Sequence, residues 1–71
     1  MYRNELIKLC ERQFISIEEL DIILKSRHIS NFEDCGESGN YIGYNWYIVT
    51  TSATKNEDMK DYYLFYKPLN R

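Results

Sequence analysis

The stretch Tyr41-Ile42-Gly43-Tyr44-Asn45-Trp46-Tyr47-Ile48-Val49-Thr50-Thr51 is dense in β-branched and aromatic residues and reads with a period of two. Such residues suit a pleated, half-buried strand. One set of alternate positions holds Ile42, Tyr44, Trp46 and Ile48, and the other holds Tyr41, Gly43, Asn45, Tyr47 and Val49. The first set is the more apolar and is expected to face the core. Downstream, residues 52–61 form a polar loop, and Tyr62-Tyr63-Leu64-Phe65-Tyr66 reads as a second strand. Lys67-Pro68 ends it, because proline gives the ladder no donor. The two strands are expected to pair as an antiparallel hairpin.

Upstream the periodicity changes. Leu6, Cys10 and Phe14 recur at four-residue spacing, flanked by Ile7 and Leu9, which predicts a helix with Asn4 as its N-cap. Ser16-Ile17-Glu18-Glu19 fits a capping box, with Ile15 and Leu20 placed as the matching hydrophobic staple. It opens a second helix whose stripe is Leu20, Ile23 and Leu24. The link Gln13-Phe14-Ile15 is short, so the two helices are expected to be neighbours. Residues 29–33 are either a third strand or a turn of helix, and residues 34–40 a loop with two glycines. The expected fold is α+β: two N-terminal helices packed on a small antiparallel sheet, a hairpin or three strands. The expected core is Leu6, Cys10, Leu20, Ile23, Leu24, Trp46 and Ile48.

With 71 residues the chain reads as one small domain, 1–71, with no room for a large enclosed pocket. Lys and Arg number 9 against 11 Asp and Glu, a net charge of −2. That is too little acid for a strong nucleic-acid mimic, and no basic excess is present to hold a phosphate backbone. No apolar run approaches the roughly 18 residues of a membrane span. Met1-Tyr2-Arg3-Asn4-Glu5 meets charge at once, unlike the apolar core of a signal peptide. The expected compartment is cytoplasmic, with Cys10 and Cys35 reduced, although a disulfide between them stays open. Ile, Asn, Lys and Tyr total 26 residues against 5 for Ala, Gly and Pro, pointing to an AT-rich genome such as that of a low-GC bacterium, its phage or a mobile element.

No residue pattern points to catalysis. Cys10 lies on an apolar stripe, where a small buried thiol is the ordinary reading. Cys35 has Glu33, Asp34 and Glu37 as neighbours, and negative charge suppresses the thiolate. His28 is the single histidine, at the end of the second helix, and Cys35 lies seven positions further on. Cys10, His28 and Cys35 lack the paired spacing of a structural zinc site. Gly36, Gly39 and Gly43 precede a strand and not a helix, unlike phosphate-binding loops. The acidic pairs Glu18/Glu19, Glu33/Asp34 and Glu57/Asp58 read as a helix start and solvated loops. We therefore expect no enzyme activity, no cofactor, no metal and no small-molecule substrate.

Aromatic residues make up 15% of the chain, and eight of the eleven lie between Tyr41 and Tyr66, in both alternation sets of both strands. Two short helices cover one face of a small sheet and scarcely both. Part of a Tyr-rich face should stay open, and that is the composition of interface cores. Tyr41, Tyr47 and Tyr63 are the expected contacts for a protein partner or for a second copy in a homodimer. The same residues also suit a half-buried sheet that binds nothing. A small regulator or inhibitor of a host protein fits this surface, including one that occupies the basic channel of a nucleic-acid enzyme. The alternative is a reduced winged helix-turn-helix that binds DNA. Against it, residues 29–40 are acidic and glycine-broken where a recognition helix should follow. The would-be wing carries Lys55 and Lys60 against Glu57, Asp58 and Asp61. Nucleic acid is thus disfavoured as a partner.

Overall fold

The protein's structure is a computed structural model, and it describes residues 1–69. Two helices, α1 (Arg3–Glu11) and α2 (Ile17–Leu24), precede three strands, β1 (Ile29–Glu37), β2 (Asn45–Thr51) and β3 (Lys60–Tyr66). The strands form one antiparallel sheet in the order β1-β2-β3. The fold is α+β with N-terminal helices, and the third strand is present. No helix among the described residues is long and apolar enough to cross a membrane.

Local chemistry sets the helix boundaries. At α2 the Ser16 hydroxyl accepts from the Glu19 amide at 3.1 Å, and the Glu19 carboxylate accepts from the Ser16 amide at 2.8 Å. The α1 boundary differs from expectation. Tyr2 is its N-cap, its amide donating to the Glu5 carboxylate at 3.0 Å, and Asn4 lies inside the helix. Helix α1 also stops earlier than the stripe predicts. Gln13 takes the left-handed conformation, with φ 66°, and turns the chain away before Phe14. The linker then runs beside β3 as a one-residue parallel bridge. Ile15 donates its amide to the Phe65 carbonyl at 3.0 Å, and Phe65 donates to the Gln13 carbonyl at 2.7 Å. Phe14 therefore leaves the helical stripe and joins the sheet.

Both helices lie on one face of the sheet. The buried core is Leu6, Cys10, Ile15, Leu20, Ile23, Val49, Leu64 and Tyr66, with Leu24, Ile29, Tyr47 and Tyr62 packed at its margin. Four of the seven expected core residues are in it, and Leu24 borders it. Trp46 and Ile48 are not, because β2 turns the opposite alternation set inward: Tyr47, Val49 and Thr51. On that side Val49 and Thr51 are buried together with Leu64 and Tyr66. Thr51 is 1% exposed, and its hydroxyl is satisfied on burial. It donates to the Lys60 carbonyl at 3.3 Å and accepts from the Lys60 amide at 3.2 Å.

Two register shifts interrupt β1, at Ser30 and at Cys35. At the second, Gly36 has φ +74°, a conformation costly for a residue with Cβ, and its amide donates to the Asp34 carboxylate at 2.9 Å. The β1–β2 connection is longer than the sequence predicts on the β2 side. Tyr41 to Tyr44 form a turn, closed by the Tyr44 amide on the Tyr41 carbonyl at 3.1 Å, and Gly43 has φ +84°. Ile42, expected on the core face, sits on that turn and is 96% exposed.

Candidate interaction face

The sheet face away from the helices is built in cross-strand rows. Asn31, Thr50 and Asp61 form one row, Glu33, Ile48 and Tyr63 the next, and Gly36, Trp46 and Phe65 the third. Phe14 extends the third row from the linker, its ring stacked on Phe65 with centroids 5.2 Å apart. Trp46 lies near-parallel to Phe65 at 6.0 Å and edge-on to Tyr63 at 5.9 Å. The turn after β1 folds back over one end of this layer. Tyr41 meets Phe65 edge-on at 4.9 Å and Phe14 at 5.0 Å, and Tyr44 meets Phe14 at 5.5 Å. Six aromatic rings thus form a continuous layer that no helix covers. Tyr63 is 51% exposed, Tyr41 43% and Phe14 38%, with Trp46, Ile48 and Phe65 half-buried between them. A concavity of about 370 Å³ opens between the Ser38–Asn40 turn and Trp46, Ile48, Tyr63 and Phe65.

The expected contact residues separate. Tyr41 and Tyr63 lie on this face, Tyr41 through the turn and Tyr63 through β3. Tyr47 does not. It points to the helix side, tilted against Tyr66 and Phe32, and its hydroxyl donates to the Asp34 carboxylate at 3.5 Å. Burial, and next the Asp34 charge, push its phenol pKa up. The cause of the misplacement is the inverted alternation of β2, since turning Val49 inward carries Tyr47 with it. Phe14, Tyr44, Trp46, Ile48 and Phe65 are the face residues that the sequence reading missed. The small residues Val49 and Thr51 beside the bulky Trp46 and Ile48 were the available signal.

The charged groups on the face include two carboxylates. Glu33 and Asp61 stand on it, Asp61 accepting from the Thr50 hydroxyl at 2.6 Å. The ion pairs among the described residues, Arg3–Glu57, Arg12–Glu19 and Lys25–Asp21, involve neither of them. The cation in contact with the layer is Lys67, whose ammonium lies 5.6 Å from the Tyr44 ring at one end.

Both cysteine thiols titrate above their ordinary range. Burial, and next the Glu11 charge, push the Cys10 thiol pKa up to about 11. Cys35 is also raised, first by desolvation and then by Glu33. Both cysteines are free. Among the described residues, no three His, Cys, Asp or Glu side chains converge to hold a metal ion. Comparison with protein-family models, with curated proteins and with solved structures finds no match.

Proposed function

We propose that the chain is a small, non-enzymatic protein-interaction module that meets its partner through the helix-free aromatic face. One observation carries the reading: six contacting rings, partly exposed, on a sheet face that the chain's own helices leave open. Aromatic side chains give large contact area at low rotamer entropy, and cover of this kind is what interface cores supply. A role as a cytoplasmic regulator or inhibitor, encoded by an AT-rich phage or mobile element, fits the residue usage and the two free thiols.

An aromatic sheet also suits stacked nucleic-acid bases. Glu33 and Asp61 on the same face would repel the phosphates, which favours protein over nucleic acid. The winged-helix alternative loses support from β1, which occupies the position after α2 where a recognition helix would lie.

The test compares variants of opposite faces. Trp46→Ala with Tyr63→Ala should release a partner captured by the wild-type chain, with the far-UV circular dichroism unchanged. Phe32→Ala, on the helix side and 48% exposed, should keep it. A partner retained by the Trp46/Tyr63 variant and lost by the Phe32 variant would place the contact elsewhere and sink the proposal.

A further inference from the structure

The aromatic face has a chemical sign as well as a shape, and this step rests on the reading of that face as the contact surface. Its polar groups beyond the strand backbone include the carboxylates of Glu33 and Asp61, neither in an ion pair among the described residues, although Asp61 accepts from the Thr50 hydroxyl. Glu33 ends the row that contains Ile48 and Tyr63, next to the row with Trp46 and Phe65, and Asp61 stands in the row on the other side. The concavity between the Ser38–Asn40 turn and these side chains is open to solvent and lined on one side by π-faces.

From this juxtaposition we infer that the partner presents a polypeptide segment carrying arginine, with a guanidinium seated against Trp46 and Tyr63 and turned toward Glu33 or Asp61. Three physical features select that chemistry. A planar guanidinium stacks on an aromatic face and is drawn to it by the ring quadrupole. The same fork donates paired hydrogen bonds to a carboxylate. The carboxylates lie at the margin of the aromatic layer, so one side chain can meet both kinds of group.

Other occupants fit less well. A nucleic acid or an anionic lipid surface would bring negative charge against Glu33 and Asp61. A second copy docked face to face would place two sets of these carboxylates in one interface, with Lys67 at its end as the cation in contact. Lysine supplies charge without a planar group to lie on Trp46.

Trp46 is the single tryptophan, so its fluorescence reports this concavity directly. The probes are blocked peptides of one length that alternate leucine with arginine, with lysine or with citrulline, the neutral isostere of arginine. The arginine peptide should quench or shift Trp46 saturably, and the effect should weaken as salt rises. The citrulline and lysine peptides should bind at least about tenfold more weakly. The double variant Glu33→Gln/Asp61→Asn, with its melting temperature checked, should lose about tenfold for the arginine peptide and little for citrulline. No saturable binding, equal binding of the lysine or citrulline peptide, or full affinity in the double variant overturns the inference. So does saturable binding of a single-stranded oligonucleotide. The two readings fail separately. If Trp46→Ala/Tyr63→Ala abolishes capture of the natural partner while Glu33→Gln/Asp61→Asn leaves it intact, the face stands and the arginine assignment falls. If the Trp46/Tyr63 variant keeps the partner, the face itself falls.

Discussion

Glu19 holds the start of α2 with both oxygens. One accepts from the Ser16 amide and the other from the Arg12 guanidinium, each at 2.8 Å. The Ser16 amide, opposed by partial desolvation and helped by Arg12, holds the Glu19 carboxyl below the usual carboxylate range. A depressed folded-state pKa means that this stabilisation is present above the unfolded pKa and is lost as pH falls through the folded one. Glu19→Gln should lower the urea midpoint at neutral pH and flatten its decline between about pH 6 and pH 3. Ser16→Ala removes the reciprocal hydroxyl and should cost about 1 kcal/mol. An acid limb as steep in Glu19→Gln as in wild type would assign the pH dependence to other carboxylates. The thiols make a second test at this scale. Cys10 is fully buried and Cys35 half-buried, so iodoacetamide near neutral pH should label Cys35 slowly and leave Cys10 untouched until denaturant is added. Mass spectrometry of the native protein showing Cys10 labelled first would contradict the packing of α1.

Element by element, the legible features were local ones. The capping box, the staple of Ile15 on Leu20, and the strand character of residues 62–66 are set by residues within a few positions of one another. What stayed illegible was decided by contacts across the chain. Both alternation sets of β2 carry aromatic or β-branched residues, so hydrophobicity alone favoured Trp46 and Ile48 inward. The buried positions are instead Val49 and Thr51, and their smaller size beside Trp46 and Ile48 is the hint that β2 itself carries. Phe14 was misplaced for a related reason. Its four-residue spacing from Cys10 is helical, yet Gln13 ends the turn because the linker gains a bridge to Phe65. Strand parity can be tested directly. Leu64→Ala, in the buried layer, should cost about 2–5 kcal/mol, enough to unfold much of a domain this small. Ile48→Thr, on the helix-free face, should stay folded and lose under about 1.5 kcal/mol. Chemical denaturation giving the reverse order would mean that β2 faces the other way.

At the scale of the molecule, one layer of helices and one sheet leave the protein with a finished side and an unfinished one. The described chain extends 42 × 21 × 17 Å, so it is thin, and a large share of its aromatic surface has solvent on one side. A domain of this length buries only about 60% of the surface its unfolded chain exposes, so its own core leaves a modest margin. Covering the proposed contact face would add to that margin, and binding there would be linked to folding. A ligand that binds the folded chain alone, at one hundred times its Kd, adds about 2.7 kcal/mol. For a domain of this size each kcal/mol moves the melting temperature by roughly 4–8 °C, so saturation should raise it by roughly 10–20 °C. The Trp46→Ala/Tyr63→Ala variant, already folded without that cover, should show no such rise at the same partner concentration. Differential scanning fluorimetry with an external dye reads both proteins on one scale, since the variant lacks the tryptophan. A rise of equal size in both would mean that the partner stabilises the molecule through its helices, and that the open aromatic layer is a solvated surface.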